Sequence, residues 1–211
     1  NTDYFDYAGG AGGFIDCFGI PFCRGRILNN IERDTGQYND DTTIFWASGS
    51  CFMIKAQLFQ TLNGFDEDLF MHQEEIDLCW RAHGLSQKIY YVGKSTVYHF
   101  GGGTLPYKSP EKIYYNHRNN LLLLIKNLES SFLLIIIFRF FLDYILITAY
   151  IFSGIFYIKH AFAIIQAHCS FILLLPKFLK SRKPIRSNLI YKGSVIFDYY
   201  IRRKKKFSQL K

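Results

Sequence analysis

The feature that most constrains this chain is its apolar stretch between Ser131 and Leu175. Phe132–Ile158 alone runs for 27 residues with Arg139 and Asp143 as its only charges. A perpendicular helix needs about 20 apolar residues to cross a bilayer, so the length suffices. The two charges complicate a simple span, because a charge at bilayer depth costs about 3 kcal/mol on insertion scales. They are four apart and can pair on one helix face. The longest uncharged pieces, Tyr144–Ile158 and Ala161–Leu175, have 15 residues each. Two in-plane helices or a shallow hairpin therefore compete with a transmembrane helix. Membrane contact is expected; the topology stays open.

Charge supports a membrane partner. The chain carries a net +8, yet from Pro176 onward twelve Lys/Arg stand against the single acid Asp198. A body close to neutral with a basic end points to a polyanion or an anionic membrane. Arg202-Arg203-Lys204-Lys205-Lys206 beside apolar helices suits anionic lipid and the cytoplasmic side. Nucleic acid is the rival partner, but no nucleic-acid-binding fold is recognisable, so none is expected. Five cysteines without a CxxC pair argue against a zinc site or a disulfide framework and for reduced thiols in the cytoplasm.

Ahead of the apolar stretch the pattern alternates between strand and helix. Gly9-Gly10-Ala11-Gly12-Gly13 lacks phosphate-loop spacing and reads as a flexible loop. Arg24 and Arg26 are of the type that grips phosphate bidentately, with plain surface solvation as the other reading. Ile44–Ala47 and Cys51–Ile54 read as strands around Ser48-Gly49-Ser50. Lys55–Leu62 reads as a helix stopped by Asn63-Gly64. Glu74–His83 follows as a second helix, with Ile76, Cys79, Trp80 and His83 on its apolar face. Lys88–Val92 and Thr96–Phe100 alternate like strands, and a third helix runs from a cap near Ser109 to Asn127.

The chemistry concentrates at Glu74-Glu75-Ile76-Asp77. Carboxylates this close repel, which is tolerated where a metal, a cationic substrate or proton transfer compensates. An exposed acidic helix start is the bland alternative, since the helix dipole favours negative charge there. Asp77 and Arg81 are four apart and can pair, which would make Asp77 structural.

Four segments in order resemble family 2 glycosyltransferases, above all rhamnosyltransferase-like bacterial members. They are Trp46-Ala47-Ser48-Gly49-Ser50-Cys51, Gly64-Phe65-Asp66-Glu67, Glu74-Glu75-Ile76-Asp77-Leu78-Cys79-Trp80-Arg81 and Val97-Tyr98-His99-Phe100-Gly101-Gly102-Gly103. The resemblance covers about Asp3 to Asn127. It implies an α/β fold: the C-terminal half of a GT-A, Rossmann-like domain over residues 1–128, then membrane-associated helices (129–180) and a basic cytoplasmic tail (181–211). It implies inverting transfer from a nucleotide-sugar to a lipid-linked glycan in bacterial surface-polysaccharide synthesis, at the cytoplasmic face of the inner membrane. The family's base is the second acid of a Glu-Asp pair, which falls on Glu75; Glu in place of Asp lengthens the reach by one methylene. Glu74 is the second choice and Asp77 the third carboxylate. Trp46, Gly49, Asp66 and Glu67 would line the acceptor side, Arg24 and Arg26 would face the donor phosphates, and His99 would ligate Mn²⁺ or Mg²⁺. The family's DxD motif is expected upstream of Asn1, so the 211 residues are expected to be inactive alone. The non-enzymatic alternative is a membrane-anchored interaction module with an acidic helix and a lipid-binding basic tail.

Overall fold

The computed structural model describes residues 3–5, 10–98, 106, 109–129 and 132–210. In chain order its elements are strands β1 (Gly13–Ile15), β2 (Pro21–Cys23), β3 (Arg26–Ile27), β4 (Asn30–Ile31) and β5 (Thr42–Ile44), helices α1 (Ala56–Thr61) and α2 (Glu74–Gly84), strand β6 (Ile89–Tyr91), and helices α3 (Pro110–Asn127), α4 (Phe132–Phe152), α5 (Ile158–Lys180) and α6 (Val195–Tyr200). The fold is mixed α/β. Two compact units share it: Asn1–Phe65, Leu78–Gly101 and Ser187–Lys211 form the first, Asp66–Asp77 and Gly102–Arg186 the second. The boundary falls inside α2, and neither unit is continuous in sequence.

In the first unit, β1 to β4 form an antiparallel meander with Phe14 opposite Phe22 and Ile27 opposite Asn30. Strands β5 and β6 pair antiparallel, Thr43 opposite Tyr90. All named strand pairs among the described residues are antiparallel, so the parallel core of a Rossmann-like sheet is not among them. The glycine stretch turns out to have a packing role. A β-carbon on Gly13 would overlap the Trp46 indole, whose Nε1 donates to the Phe14 carbonyl at 2.9 Å. Here a bare backbone is needed for close approach.

The C-terminal segment is less of a tail than expected. Val195 and Leu210 are buried with Ile20, Phe22 and Ile27, and Tyr191 and Phe207 pack against them. Asp198, fully buried, accepts from Tyr191 Oη at 2.7 Å and pairs with Arg202 at 3.2 Å. Apolar residues interleaved with the lysines thus fold this segment onto the meander.

Helix α1 ends as expected: Asn63 and Gly64 take φ of 57° and 65°, the left-handed cap that stops a helix. Cys51–Ile54 is irregular and joins no strand among the described residues; Phe52 and Ile54 pack on Leu58, Leu62, Leu78 and Ala82. Of the expected strand Thr96–Phe100, Thr96–Tyr98 is irregular and the rest lies outside the described residues.

In the second unit, α3 starts at the Ser109 cap, whose hydroxyl accepts from Lys112 N at 3.2 Å, with Pro110 in the first turn. Helices α4 and α5 are inside-out. The buried stripe of α4 is Ile136, Arg139, Asp143 and Ile147, three or four residues apart, so both charges face inward. Asp143 lies 2.9 Å from His117 Nδ1 of α3 and 2.9 Å from His168 Nε2 of α5. Leu134, Ile137, Phe141, Phe152 and, on α5, Phe162 and Leu173 are exposed. Apolar surface on this scale around a polar seam is what lipid contact requires. Phe132–Phe152 (21 residues) and Ile155–Lys180 (26 residues) are each long and apolar enough to cross a membrane. The 15-residue uncharged pieces are shorter than these helices, and on α4 Asp143 faces His117 and His168 of neighbouring helices rather than ending the run.

Candidate active site

The acidic segment Asp66–Asp77 lies in the second unit with α3, α4 and α5. Its backbone is unusual. Phe70, His72 and Gln73 all take positive φ, at 60°, 67° and 69°. None is glycine, and each such residue costs about 1–3 kcal/mol, tolerated only where surroundings over-determine it. Those surroundings are polar side chains of α3. Asn119 Nδ2 faces the carbonyls of Leu69 (2.9 Å), Met71 (2.8 Å) and His72 (2.7 Å). Arg118 Nη2 donates to the carbonyls of Asp68 (2.9 Å) and Leu69 (3.0 Å). Gln73 is gripped at both ends of its amide: Nε2 donates to Asn116 O at 3.0 Å, and Oε1 accepts from Asn120 Nδ2 at 3.1 Å.

This loop delivers the first turn of α2. Asp77 N donates to Gln73 O at 3.0 Å, closing that turn. Glu74 and Glu75 follow Gln73 directly, and one oxygen of each is buried without a hydrogen-bond partner among the described residues. Burial first, then the neighbouring Glu74 charge, pushes the Glu75 carboxyl up to about 7 against the pull of backbone N–H groups. Burial likewise raises Glu74. A helix dipole contributes only about 0.3–1 kcal/mol in the other direction, less than this shift requires. Desolvation therefore wins over the dipole, and an exposed acidic helix start does not describe Glu75. His72, beside them, is held below its usual range by burial and then by the Lys112 charge.

Asp77 behaves differently. It is fully buried, with Oδ2 2.9 Å from Lys126 Nζ and Oδ1 accepting from Asn127 Nδ2 at 3.0 Å. Lys126 also holds Asp66 Oδ2 at 2.6 Å. Asp68 pairs with Lys177 of α5 through Nζ at 2.6 Å. The acids of the segment thus sort into those held by a lysine (Asp66, Asp68, Asp77) and those with one buried carboxylate oxygen lacking a partner among the described residues (Glu74, Glu75). Glu67 is exposed.

The remaining sequence candidates lie elsewhere. Trp46, Gly49, Arg24 and Arg26 belong to the first unit. Trp46 is buried against Gly13, and Gly49 is exposed. Arg24 is buried, pairs with Asp40 and stacks 4.8 Å from the Tyr38 ring centroid. Arg26 Nε donates to the Leu28 carbonyl at 2.8 Å. His99 and Gly101–Gly103 lie outside the described residues. Among the described residues no three His, Cys, Asp or Glu side chains converge to hold a metal ion.

The chain is 35% identical over 83 residues to the rhamnosyltransferase WbbL of Escherichia coli (strain K12), which is 39% of this chain and 31% of that protein. It is 37% identical over 54 residues, 26% of this chain, to the N-acetylglucosaminyl-diphospho-decaprenol L-rhamnosyltransferase of Mycobacterium tuberculosis, covering 18% of it. The relationship is glycosyltransferase-like. The chain spans less than a third of the length of these curated relatives. No family model matches it, and no solved structure matches it significantly.

The sequence missed Arg118, Asn119, Asn120 and Lys126. Their signal was present: four polar residues flank the apolar run Leu121–Ile125 inside one helix, and polar side chains on a buried helix must find partners.

Proposed function

We propose that the chain carries the acceptor-side chemistry of an inverting glycosyltransferase, with Glu75 as general base. The observation that carries this reading is the Glu75 carboxyl itself. One of its oxygens is buried without a hydrogen-bond partner among the described residues, it follows a strained, clamped loop, and burial raises it to about 7. A base works best with a pKa near the operating pH, and burial is how proteins raise a glutamate to that range. The partial similarity to rhamnosyltransferases supplies the reaction class.

In this reaction the acceptor hydroxyl gives its proton to the Glu75 carboxylate as its oxygen attacks the anomeric carbon. The carbon–oxygen bond to the nucleoside diphosphate breaks, and the diphosphate leaves with the electron pair. The Glu74 charge next to the base adds to burial in raising its proton affinity. Asp66, fixed by Lys126, and exposed Glu67 are the acceptor-facing carboxylates in this reading. Positive charge is needed at the leaving diphosphate. Arg24, Arg26 and a divalent metal with His99 are the assigned sources, and they remain part of the proposal.

The proposed fold is the C-terminal half of a GT-A domain. The acceptor class is a diphospho-polyprenol-linked sugar, in keeping with the name of the mycobacterial relative. A lipid-linked acceptor also suits α4 and α5, whose apolar surfaces would hold the protein at the membrane, and a cytoplasmic face suits the basic C-terminal segment.

Glu75→Gln tests the reading in a protein that carries this chain and turns over. Transfer of L-rhamnose to N-acetylglucosaminyl-diphospho-polyprenol is expected to lose about 10²–10⁴-fold in kcat with KM nearly unchanged. Unchanged turnover would remove Glu75 as base and return the acidic turn to a non-catalytic membrane module.

A further inference from the structure

We propose that Asn119, oriented by Arg118, is a positioning residue that sets the direction and burial of the Glu75 carboxylate. The inference rests on the reading of Glu75 as the base, but its geometry stands apart from that reading. An amide NH₂ has two hydrogens, and Asn119 Nδ2 has three carbonyls within 2.9 Å, so one hydrogen is shared between two acceptors. The amide has only one way to face. Arg118 Nε donates to Asn119 Oδ1 at 2.8 Å, so the oxygen points to the guanidinium and the NH₂ to the loop.

The three carbonyls belong to Leu69, Met71 and His72, around two of the three left-handed residues. A loop that places Phe70, His72 and Gln73 at positive φ relaxes unless something holds its carbonyls where they are. Asn119 is fully buried, and removing it takes the amide donor from the Met71 and His72 carbonyls, while the Leu69 carbonyl keeps Arg118. Relaxation at His72 passes to Gln73 and so to the first turn of α2, where Glu75 sits two residues further on. Asn116 and Asn120 fix the Gln73 side chain but leave its backbone φ to the clamp on the preceding carbonyls.

The test is carboxyl ¹³C NMR of the glutamate-labelled chain in detergent micelles, with Glu75→Gln to assign the resonance. In the parent protein the Glu75 midpoint is expected near 7. Asn119→Ala is expected to move it down toward the ordinary glutamate range while helical circular dichroism is retained. Should Asn119→Ala fail to fold, Asn119→Ser, which keeps one donor, is read in its place with a smaller shift in the same direction. Adding Phe70→Gly, which removes one left-handed side chain, is expected to restore part of the shift. An unchanged midpoint in a folded Asn119 variant overturns the inference. In a protein that turns over, the same variant is expected to lose at least tenfold in kcat with KM within twofold. This outcome separates the two claims: active Glu75→Gln refutes the base, whereas an unmoved Glu75 midpoint refutes only the positioning residue.

Discussion

The raised Glu75 carboxyl makes a stability prediction that needs no substrate. Glu75 titrates at about 7 in the folded chain against an ordinary value of 4.5. Below pH about 4 it is neutral whether folded or unfolded, and it contributes nothing to the pH dependence. Between 4.5 and 7 the unfolded chain releases the proton and the folded chain does not, so stability falls as pH rises. Above about 7 the folded state carries the whole cost of a buried charge. At about 1.36 kcal/mol per unit, that cost is about 3 kcal/mol. Glu75→Gln has no proton to lose. It is expected to match the parent protein near pH 4 and to exceed it by about 3 kcal/mol at pH 8, or by about 6–12 °C in Tm for a chain of this size. Thermal unfolding in detergent micelles across pH 4–8, followed by circular dichroism, reads this directly. Equal stability of the two proteins at pH 8, or a gap that does not change with pH, would refute the assignment of burial as the dominant force on Glu75. A variant that is more stable and less active is the expected mark of a functional group held in an unfavourable place.

Other parts of the structure lead to separate expectations. Lys126→Met leaves Asp66 and Asp77 without their shared ammonium, and urea unfolding should show a loss of about 3–5 kcal/mol, partly recovered by adding Asp77→Asn. Gly13→Ala drives a methyl into the Trp46 indole. It should cost about 1–3 kcal/mol and alter the tryptophan fluorescence of the folded protein. Flotation with liposomes should show tighter association with anionic than with neutral lipid, and replacing Arg203, Lys205 and Lys206 by alanine should narrow that difference; no difference would argue against the lipid role of the basic segment.

The helices were the legible part of the fold. The Ser109 cap, the Asn63-Gly64 stop and the apolar spacing of Ile76, Cys79 and Trp80 are local signals, and α1, α2 and α3 fall where those signals put them. Strands were harder. Cys51–Ile54 has strand-like composition, yet its large side chains found a better surface on α1 and α2 than a pairing partner. The C-terminal segment looked like a basic tail because Arg202–Lys206 dominates its pattern, and only packing reveals that Phe207 and Leu210 belong with a core. At the candidate site, Glu74 and Glu75 stood out as a carboxylate pair. What distinguishes them from Asp77 did not: Asn127 and Lys126 reach Asp77 from 50 and 49 residues away. The same applies to Asn119, which grips carbonyls 47 to 50 residues earlier. Backbone strain is invisible in residue type when the strained residues are Phe, His and Gln instead of glycine.

The buried seam of α4 also bears on how such a chain would be made. Asp143 needs His168, which is synthesised 25 residues later. If α4 entered a bilayer by itself as it emerged, Arg139 and Asp143 would meet lipid at about 3 kcal/mol each. Once α5 has followed and brought His168 to Asp143, with His117 of α3 already in place, the Asp143 part of that expense is offset. For a chain that inserts, the order of synthesis would then favour α4 and α5 entering together, as a pair that closes around Asp143 before either helix faces the membrane interior.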